Sequence, residues 1–452
     1  MEKIGKIASI KREAAIYKLT NSFRWFSEFG ATGGLILFFI SIIALVWANS
    51  PFQNFYEDFK NINLTFSVGS FVISKGLILW INDALMAIFF FVVGLEIKRE
   101  FLVGELSDIR KATFPIFAAI GGMLVPALIY YLFNQEGDLR NGWGIPMATD
   151  IAFALGFLAL LGSRVPVSLK VFLTALAIVD DIGAVVVIGL FYTETIHMIP
   201  IVCAGFIFIT LIFGNSLGIR TPWFYFIFGI FLWIAFLKSG IHATVSGVLA
   251  AFTIPSKSLV DGHLFVKEGK SLLNEFEKSI SNANTTKNSQ ILLTTKQESV
   301  VSTMETACEY ILPPLFRLEH SILPWVTFVI MPIFALANAG ITMQGDFFSS
   351  LYHPVTYGVI GGLFFGKPIG IFIFSFFAVK LGISKLPEHT SWSQVIGIGF
   401  FAGIGFTMSI FVASLAFANA NHSLTNSKIG ILLGSFISLV VGMVVLYFQK
   451  KK

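Results

Sequence analysis

Twelve apolar runs alternate with short polar or charged stretches along the chain, at residues 30–49, 77–97, 113–133, 142–161, 167–192, 198–216, 222–236, 240–254, 321–340, 356–380, 394–418 and 428–448. A helix of ~20 apolar residues spans the hydrocarbon core of a bilayer, so the pattern predicts an all-α polytopic membrane protein with twelve transmembrane helices. Runs seven and eight are parted only by Lys238-Ser239-Gly240 and His242. Fused, they would make a helix ~50 Å long, well beyond the ~30 Å core, so two short helices are predicted. Residues 62–75 alternate apolar and polar around Gly69-Ser70, which predicts a small β-hairpin on the outer face. Its free edge can pair with a second copy or lie on its own protein. The organisation read from the pattern is a basic N-terminal segment (1–27), spans 1–8 (28–254), a cytoplasmic insert (255–318), spans 9–12 (319–449) and a short tail (450–452). Within the insert, amphipathic stretches near 265–280 and 297–311 flank a Ser/Asn/Thr/Lys-rich centre, which predicts two helices around a flexible middle.

Composition agrees with this architecture. Of the 452 residues 55% are hydrophobic and only 13% charged, about half the ~25% of an ordinary soluble domain. A soluble enzyme, a disordered chain and a nucleic-acid binder are excluded; the partner implied is the lipid bilayer. The formal charge of +5 comes from residues lying between the apolar runs. With twelve spans, 25 Lys/Arg fall on one side and 5 on the other, with Lys367 alone inside a span. This asymmetry puts both termini in the cytoplasm. Two cysteines, Cys203 and Cys308, cannot build a disulfide framework. No Gly-x-x-x-x-Gly-Lys-Ser/Thr loop is present, so no nucleotide is expected.

Ionisable groups inside spans are costly, by ~2.5–3.5 kcal/mol or more each, and mark function. Asp180 and Asp181 sit mid-helix in Ala-Ile-Val-Asp-Asp-Ile-Gly-Ala. Adjacent helical side chains diverge by ~100°, so the two carboxylates face different surroundings. Lys367, in Gly-Lys-Pro-Ile-Gly, is the natural partner of Asp180 or another carboxylate, acting as counter-ion or releasing its own proton. Asp150 follows Gly144, Pro146 and Thr149, which predicts a broken helix whose second half begins near Thr149, with Asp150 compensating its positive amide end. Phe401-Ala-Gly-Ile-Gly-Phe-Thr-Met-Ser409 gives span 11 a matching break. Spans 3–5 and 10–12 then read as inverted repeats, each with a broken helix in its middle. Glu96, Lys98, Arg99 and Glu100 end span two at the cytoplasmic mouth, either as a solvated helix end or as a pH-dependent funnel. Glu319 and His320 can join that funnel. His242 reads as a buried, satisfied histidine, and Asp83 as a group with a structural partner.

Two carboxylates in a dry cavity hold either protons or a hard monovalent cation, not both. Na⁺ or Li⁺ then competes with H⁺, Thr149 being a further ligand. If only loaded forms change access, the competition itself couples the fluxes. The segments Trp80-Ile-Asn-Asp-Ala-Leu-Met-Ala87, Gly94-Leu-Glu-Ile-Lys-Arg-Glu100, Ala148-Thr-Asp-Ile-Ala-Phe-Ala-Leu-Gly156, Ala177-Ile-Val-Asp-Asp181, Leu237-Lys-Ser-Gly-Ile-His-Ala-Thr244, Gly366-Lys-Pro368 and Gly405-Phe-Thr-Met-Ser-Ile-Phe411 closely resemble the bacterial NhaA-type Na⁺/H⁺ antiporters. The resemblance runs from about residue 28 to about residue 445. It implies two crossed discontinuous helices, a homodimer joined partly by the outer hairpin, and an inner-membrane location. It also implies electrogenic exchange activated at alkaline pH, in intracellular pH and sodium homeostasis. Asp180 and Asp181 would carry ion and proton, with Asp181 the more essential. Asp150 and Lys367 would compensate the half-helix ends, and Glu96, Glu100, Glu319 and His320 would form the pH-responsive cluster. The insert is longer than the family pattern, which leaves the approach to Glu319 open. The alternative reading is a cation channel or another cation carrier. An intramembrane aspartyl protease fits poorly, because its carboxylates come from different helices. No enzyme activity and no cofactor are expected; the ions are transported.

Overall fold

The computed structural model describes residues 31–69, 71–193, 196–258, 261–282, 294–342, 347–388 and 390–449. The basic segment 1–27, the tail 450–452 and the polar centre of the insert, 283–293, lie outside the described residues.

Helix α1 (Ala31–Ala48) turns by 110° into α2 (Gln53–Asn61). Strands β1 (Asn63–Val68) and β2 (Phe71–Gly76) follow, antiparallel from Asn63↔Gly76 to Val68↔Phe71. Gly69 opens their two-residue turn at φ +60°, a left-handed conformation that suits glycine. Then come α3 (Leu77–Val103), α4 (Ile109–Phe133), the 3₁₀ segment Gly137–Met147 bent by 44° into α5 (Ile151–Leu160), α6 (Val167–Phe191), α7 (Met198–Ser216), α8 (Pro222–Ser239) and α9 (Val245–Thr253). The insert forms α10 (Gly262–Asn282) and α11 (Thr295–Ile311). The chain continues with α12 (Pro314–Asn338), α13 (Pro354–Lys380), α14 (Trp392–Ala402) bent by 49° into α15 (Phe406–Ala416), and α16 (Asn421–Tyr447).

Eight of the helices in the described residues are long and apolar enough to cross a membrane, and the three bent pairs raise this to eleven. The difference from twelve lies at residues 240–254. Gly240, at φ +87°, stops α8, and only the nine residues Val245–Thr253 are helical. At 1.5 Å per residue this helix is about 14 Å long, too short to cross by itself. It packs along α3, where a Cβ at Gly247 would strike the Ala87 carbonyl.

Large apolar side chains such as Phe206 and Phe226 point outward from α7 and α8 and suit a lipid solvent rather than water. The main buried cluster lies instead around the two bent pairs, including Ile145, Ala148, Phe153, Ile404, Phe406 and Ile410. Helices α4 and α13 approach so closely that a Cβ at Gly121 or Gly370 would fall on the other's backbone carbonyl. This contact brings the Lys367 stem beside Gly122. A widened π-turn, Gly361–Gly366, runs directly into Lys367-Pro368. Pro368 has no amide hydrogen to continue the helical ladder, so the helix is irregular where its buried cation sits.

Candidate functional site: two broken helices and an aspartate pair

The breaks at 148–150 and 403–405 meet at the centre of the bundle. The Asp150 amide donates to Ile404 O at 2.7 Å, and the Thr149 hydroxyl lies 2.9 Å from Ala402 O. The Ser409 hydroxyl donates to Ile145 O at 2.8 Å, from the second pair to the first. Backbone groups freed by breaking the helices are thus satisfied across the crossing, as a dry interior requires.

One carboxylate serves the N-terminal ends of both inner half-helices. Asp150 Oδ1 accepts the Phe153 amide of α5 at 3.0 Å. Its Oδ2 accepts the Thr407 amide of α15 at 3.1 Å and a short bond from the Thr407 hydroxyl. The sequence reading assigned Asp150 to its own half-helix and began that half near Thr149. In the structure Asp150 is the N-cap, α5 begins at Ile151, and the second half-helix shares the same carboxylate. Ser435 of α16 supports α15 as well, its hydroxyl accepting the Gly405 and Phe406 amides at 3.2 Å each. Sequence reasoning named neither Thr407 nor Ser435 as a site residue. Thr407 lies inside the Gly-Phe-Thr-Met-Ser motif, whereas Ser435 is one of several small polar residues in α16 and carried no signal.

Asp180, Asp181, Thr149 and Lys367 are all buried. Lys367 Nζ lies 2.5 Å from Asp180 Oδ2 and 2.8 Å from Thr149 Oγ1, and Thr149 Oγ1 lies 2.7 Å from the same Asp180 oxygen. The threonine has one proton, so it donates either to Asp180 or to Ala402 O while accepting from lysine. Lys367 therefore pairs with Asp180, one of the partners its sequence position allowed. Asp180 Oδ1 is buried without a hydrogen-bond partner among the described residues. Asp181, one residue on, has no hydrogen-bond partner among the described residues. It lies in electrostatic reach of Asp180, Glu96, Asp150 and Lys367.

Three of the four mouth residues come together. Arg99 makes a short ion pair with buried Glu319 and a 3.1 Å pair with Glu100, whose other oxygen accepts the Glu105 amide at 3.1 Å. Glu96, one turn further into the membrane, feels Glu319, Arg99 and Glu100 on one side and Asp181 on the other. The line of carboxylates thus extends from the mouth to the aspartate pair. His320 is exposed, its Nδ1 3.1 Å from Phe316 O, and it meets the Arg99 cluster electrostatically, through Glu319. Lys98 turns away from that cluster, its ammonium meeting Phe252 O at 2.6 Å and Ile254 O at 2.5 Å beyond the end of α9. A cation is favourable there, at a helix C-terminus. Asp83 has a structural partner in Lys75, at 2.7 Å.

Among the described residues no group of three or more His, Cys, Asp or Glu is placed to hold a metal ion. The polar side chains gathered at the crossing are two adjacent carboxylates, a hydroxyl and an ammonium. Comparison with known proteins points to a family of transporters. The family described as Na⁺/H⁺ antiporter 1 matches residues 24–446. The chain is 49% identical over 430 residues to the Na⁺/H⁺ antiporter NhaA of Koribacter versatilis, covering 95% of this chain and 92% of the relative. It is 47% identical over 440 residues to that of Sulfurimonas denitrificans, covering 97% and 98%. It is 47% identical over 426 residues to that of Serratia proteamaculans, covering 94% and 97%.

Proposed function

We propose that this chain, which belongs to the Na⁺/H⁺ antiporter 1 family, is a secondary transporter expelling cytoplasmic Na⁺ or Li⁺ in exchange for external H⁺. The observation that carries the reading is the convergence of Lys367 Nζ and Thr149 Oγ1 on one oxygen of Asp180, beside Asp181. An incoming cation needs the oxygens that the ammonium and the hydroxyl proton hold. Na⁺ can take Asp180, Asp181 and Thr149 Oγ1 only as Lys367 withdraws from Asp180, and protonated carboxylates admit no ion. Competition at one site then couples the two fluxes. The shared Asp150 keeps the two half-helices joined, so the crossing tilts as one body when access alternates.

Two carboxylates and a lysine supply more exchangeable protons than the single charge of Na⁺, which supports electrogenic exchange. Withdrawal of protons from Glu96, Glu100 and Glu319 would switch transport on at alkaline pH, with exposed His320 on the solvent side of that cluster. The charge asymmetry supports both termini lying in the cytoplasm of a bacterial inner membrane. Twelve crossings follow if residues 240–254 cross as a loop plus the short α9. Spans 3–5 and 10–12, each with a bent pair in its middle, then form the inverted repeats. The unpaired hairpin edge at 62–75 supports a homodimer on the outer face.

Everted membrane vesicles from cells lacking other Na⁺/H⁺ antiporters test the reading. Respiration acidifies the lumen, and a fluorescent amine reports ΔpH as Na⁺, Li⁺ or K⁺ is added from pH 6.5 to 9. Dequenching by Na⁺ and Li⁺ that strengthens at alkaline pH is expected. Asp181→Asn keeps the volume and removes a charged ligand, so it should fold and not exchange. Robust exchange by folded Asp181→Asn would overturn the assignment.

A further inference from the structure

The insert carries a feature that transport does not use. Helices α10 and α11 pack antiparallel, with Glu275 and Lys296 paired at 3.8 Å to mark their register. The seam on α10 is Phe265, Gly269, Leu272, Phe276 and Ser279, all half-buried. The seam on α11 is Gln297, Val300, Met304, Ala307 and Ile311, all buried or half-buried. Both rows step by alternating fours and threes, the spacing of a two-helix coiled coil. Glu275 and Lys296 close one flank of this seam. The other flank, one position beyond every second seam residue and so seven residues apart, is apolar: Val266, Leu273 and Ile280 on α10, Val301 and Cys308 on α11. Leu273 is 55% and Val301 45% exposed, where a solvated coiled coil normally carries charge.

The rims of this stripe indicate what covers it. On α11 the adjoining row holds Glu298 and Glu305; on α10 it holds His263, Lys270 and Glu277. Two carboxylates beside the stripe oppose docking onto anionic lipid. A second copy suits them. A two-fold axis along the hairpin lays α10 of one copy on α11 of the other at the same height. Val266 and Leu273 then meet Val301 and Cys308 of the second copy. The Glu275–Lys296 register puts Lys270 level with the stretch of the second α11 between Glu298 and Glu305. We propose that this hairpin is a self-association surface, its apolar flank closing with that of a second copy into an antiparallel four-helix bundle outside the membrane. The stripe is narrow for a free interface, so it forms between copies already confined to one membrane plane. The proposal does not depend on which ion is carried.

The test uses the full-length protein in liposomes, with Cys203→Ser and Cys308→Val, which keeps the stripe apolar, and a spin label at Thr303→Cys on the flank away from the stripe. Packed helix axes lie 8–10 Å apart, so the diagonal α11 helices bring the two labels to about 30 Å. Pulsed dipolar spectroscopy should show that distance. Lys270→Glu should broaden or lose it, Leu273→Ser should lose it, and Lys270→Glu with Glu305→Lys should restore it. No distance below ~45 Å in the parent would overturn the proposal, whatever the transport activity or mass of the protein. So would a distance unchanged by Leu273→Ser. If relaxation by lipid-tethered nickel instead reaches the label in the absence of an inter-copy distance, the stripe faces the membrane and the proposal fails.

Discussion

Replacing Asp150 by Asn tests the crossing most directly, because the change is isosteric and its consequences follow from three hydrogen bonds. Asp150 accepts from the Phe153 amide on one oxygen and from the Thr407 amide and hydroxyl on the other. Asn has one acceptor oxygen and places an NH₂ group where the other was. If the oxygen stays with Thr407, the Phe153 amide faces a donor; if it turns to Phe153, the Thr407 amide does, while the Thr407 hydroxyl can turn to accept. A buried donor left without a partner costs about 1–3 kcal/mol. The lost negative charge had served two helix N-termini, each worth about 1 kcal/mol in a partly buried setting. The total is about 3–5 kcal/mol, concentrated at the crossing. Purified variant and parent would be compared by fluorescence-detected thermal unfolding and by amide hydrogen exchange read at residues 153 and 407. A lower unfolding midpoint is expected, with faster exchange at both sites at once, although they are more than 250 residues apart in the chain. Parent-like unfolding and unchanged exchange at both amides would refute the shared-cap reading. Faster exchange at Phe153 alone would show that Asp150 caps only its own half-helix.

Lys367→Met leaves the buried Asp180 carboxylate without its cation and should destabilise the protein by about 3–5 kcal/mol; adding Asp180→Asn should recover much of that in thermal unfolding without restoring exchange. Ser435→Ala removes the acceptor of the Gly405 and Phe406 amides, at a cost of about 1–2 kcal/mol by analogy with cap deletions, and should raise the Na⁺ concentration for half-maximal exchange in vesicles. His353 precedes α13, and its ring accepts the Val355 amide. Burial first, and the facing His422 second, hold its imidazole below the ordinary value. The folded form therefore binds the proton less readily than the unfolded form. Stability should fall as pH drops through the ordinary imidazole range and level off below the depressed folded value. His353→Gln should flatten that dependence in a series of unfolding midpoints against pH.

The two bent pairs that cross at the site were legible in the sequence because glycine and proline inside an apolar run leave few structural alternatives. The ionisable residues were legible because a charge in a span needs a reason. Two details depended on the fold. Residues 240–254 are mostly apolar, and hydropathy alone does not reveal that Gly240 takes a left-handed conformation and leaves only nine helical residues. His320 sits beside Glu319 in sequence, yet adjacent helical positions diverge, so one is buried against Arg99 and the other faces solvent.

By itself the sequence determined the membrane class, the positions of the breaks, the candidate ion carriers and the two helices of the insert, since each follows from local hydropathy, periodicity or the cost of a buried charge. Only the tertiary structure decided how those parts meet. It brought the two breaks, some 255 residues apart, onto one Asp150 carboxylate. It set Lys367 and Thr149 on a single oxygen of Asp180, turned Lys98 onto the end of α9 while Arg99 took Glu319, and recruited Ser435 from a helix with no distinguishing motif. The physical reason is that a buried donor or charge must find a partner wherever packing offers one, and the close approach of helices such as α4 and α13 sets which partners are in reach.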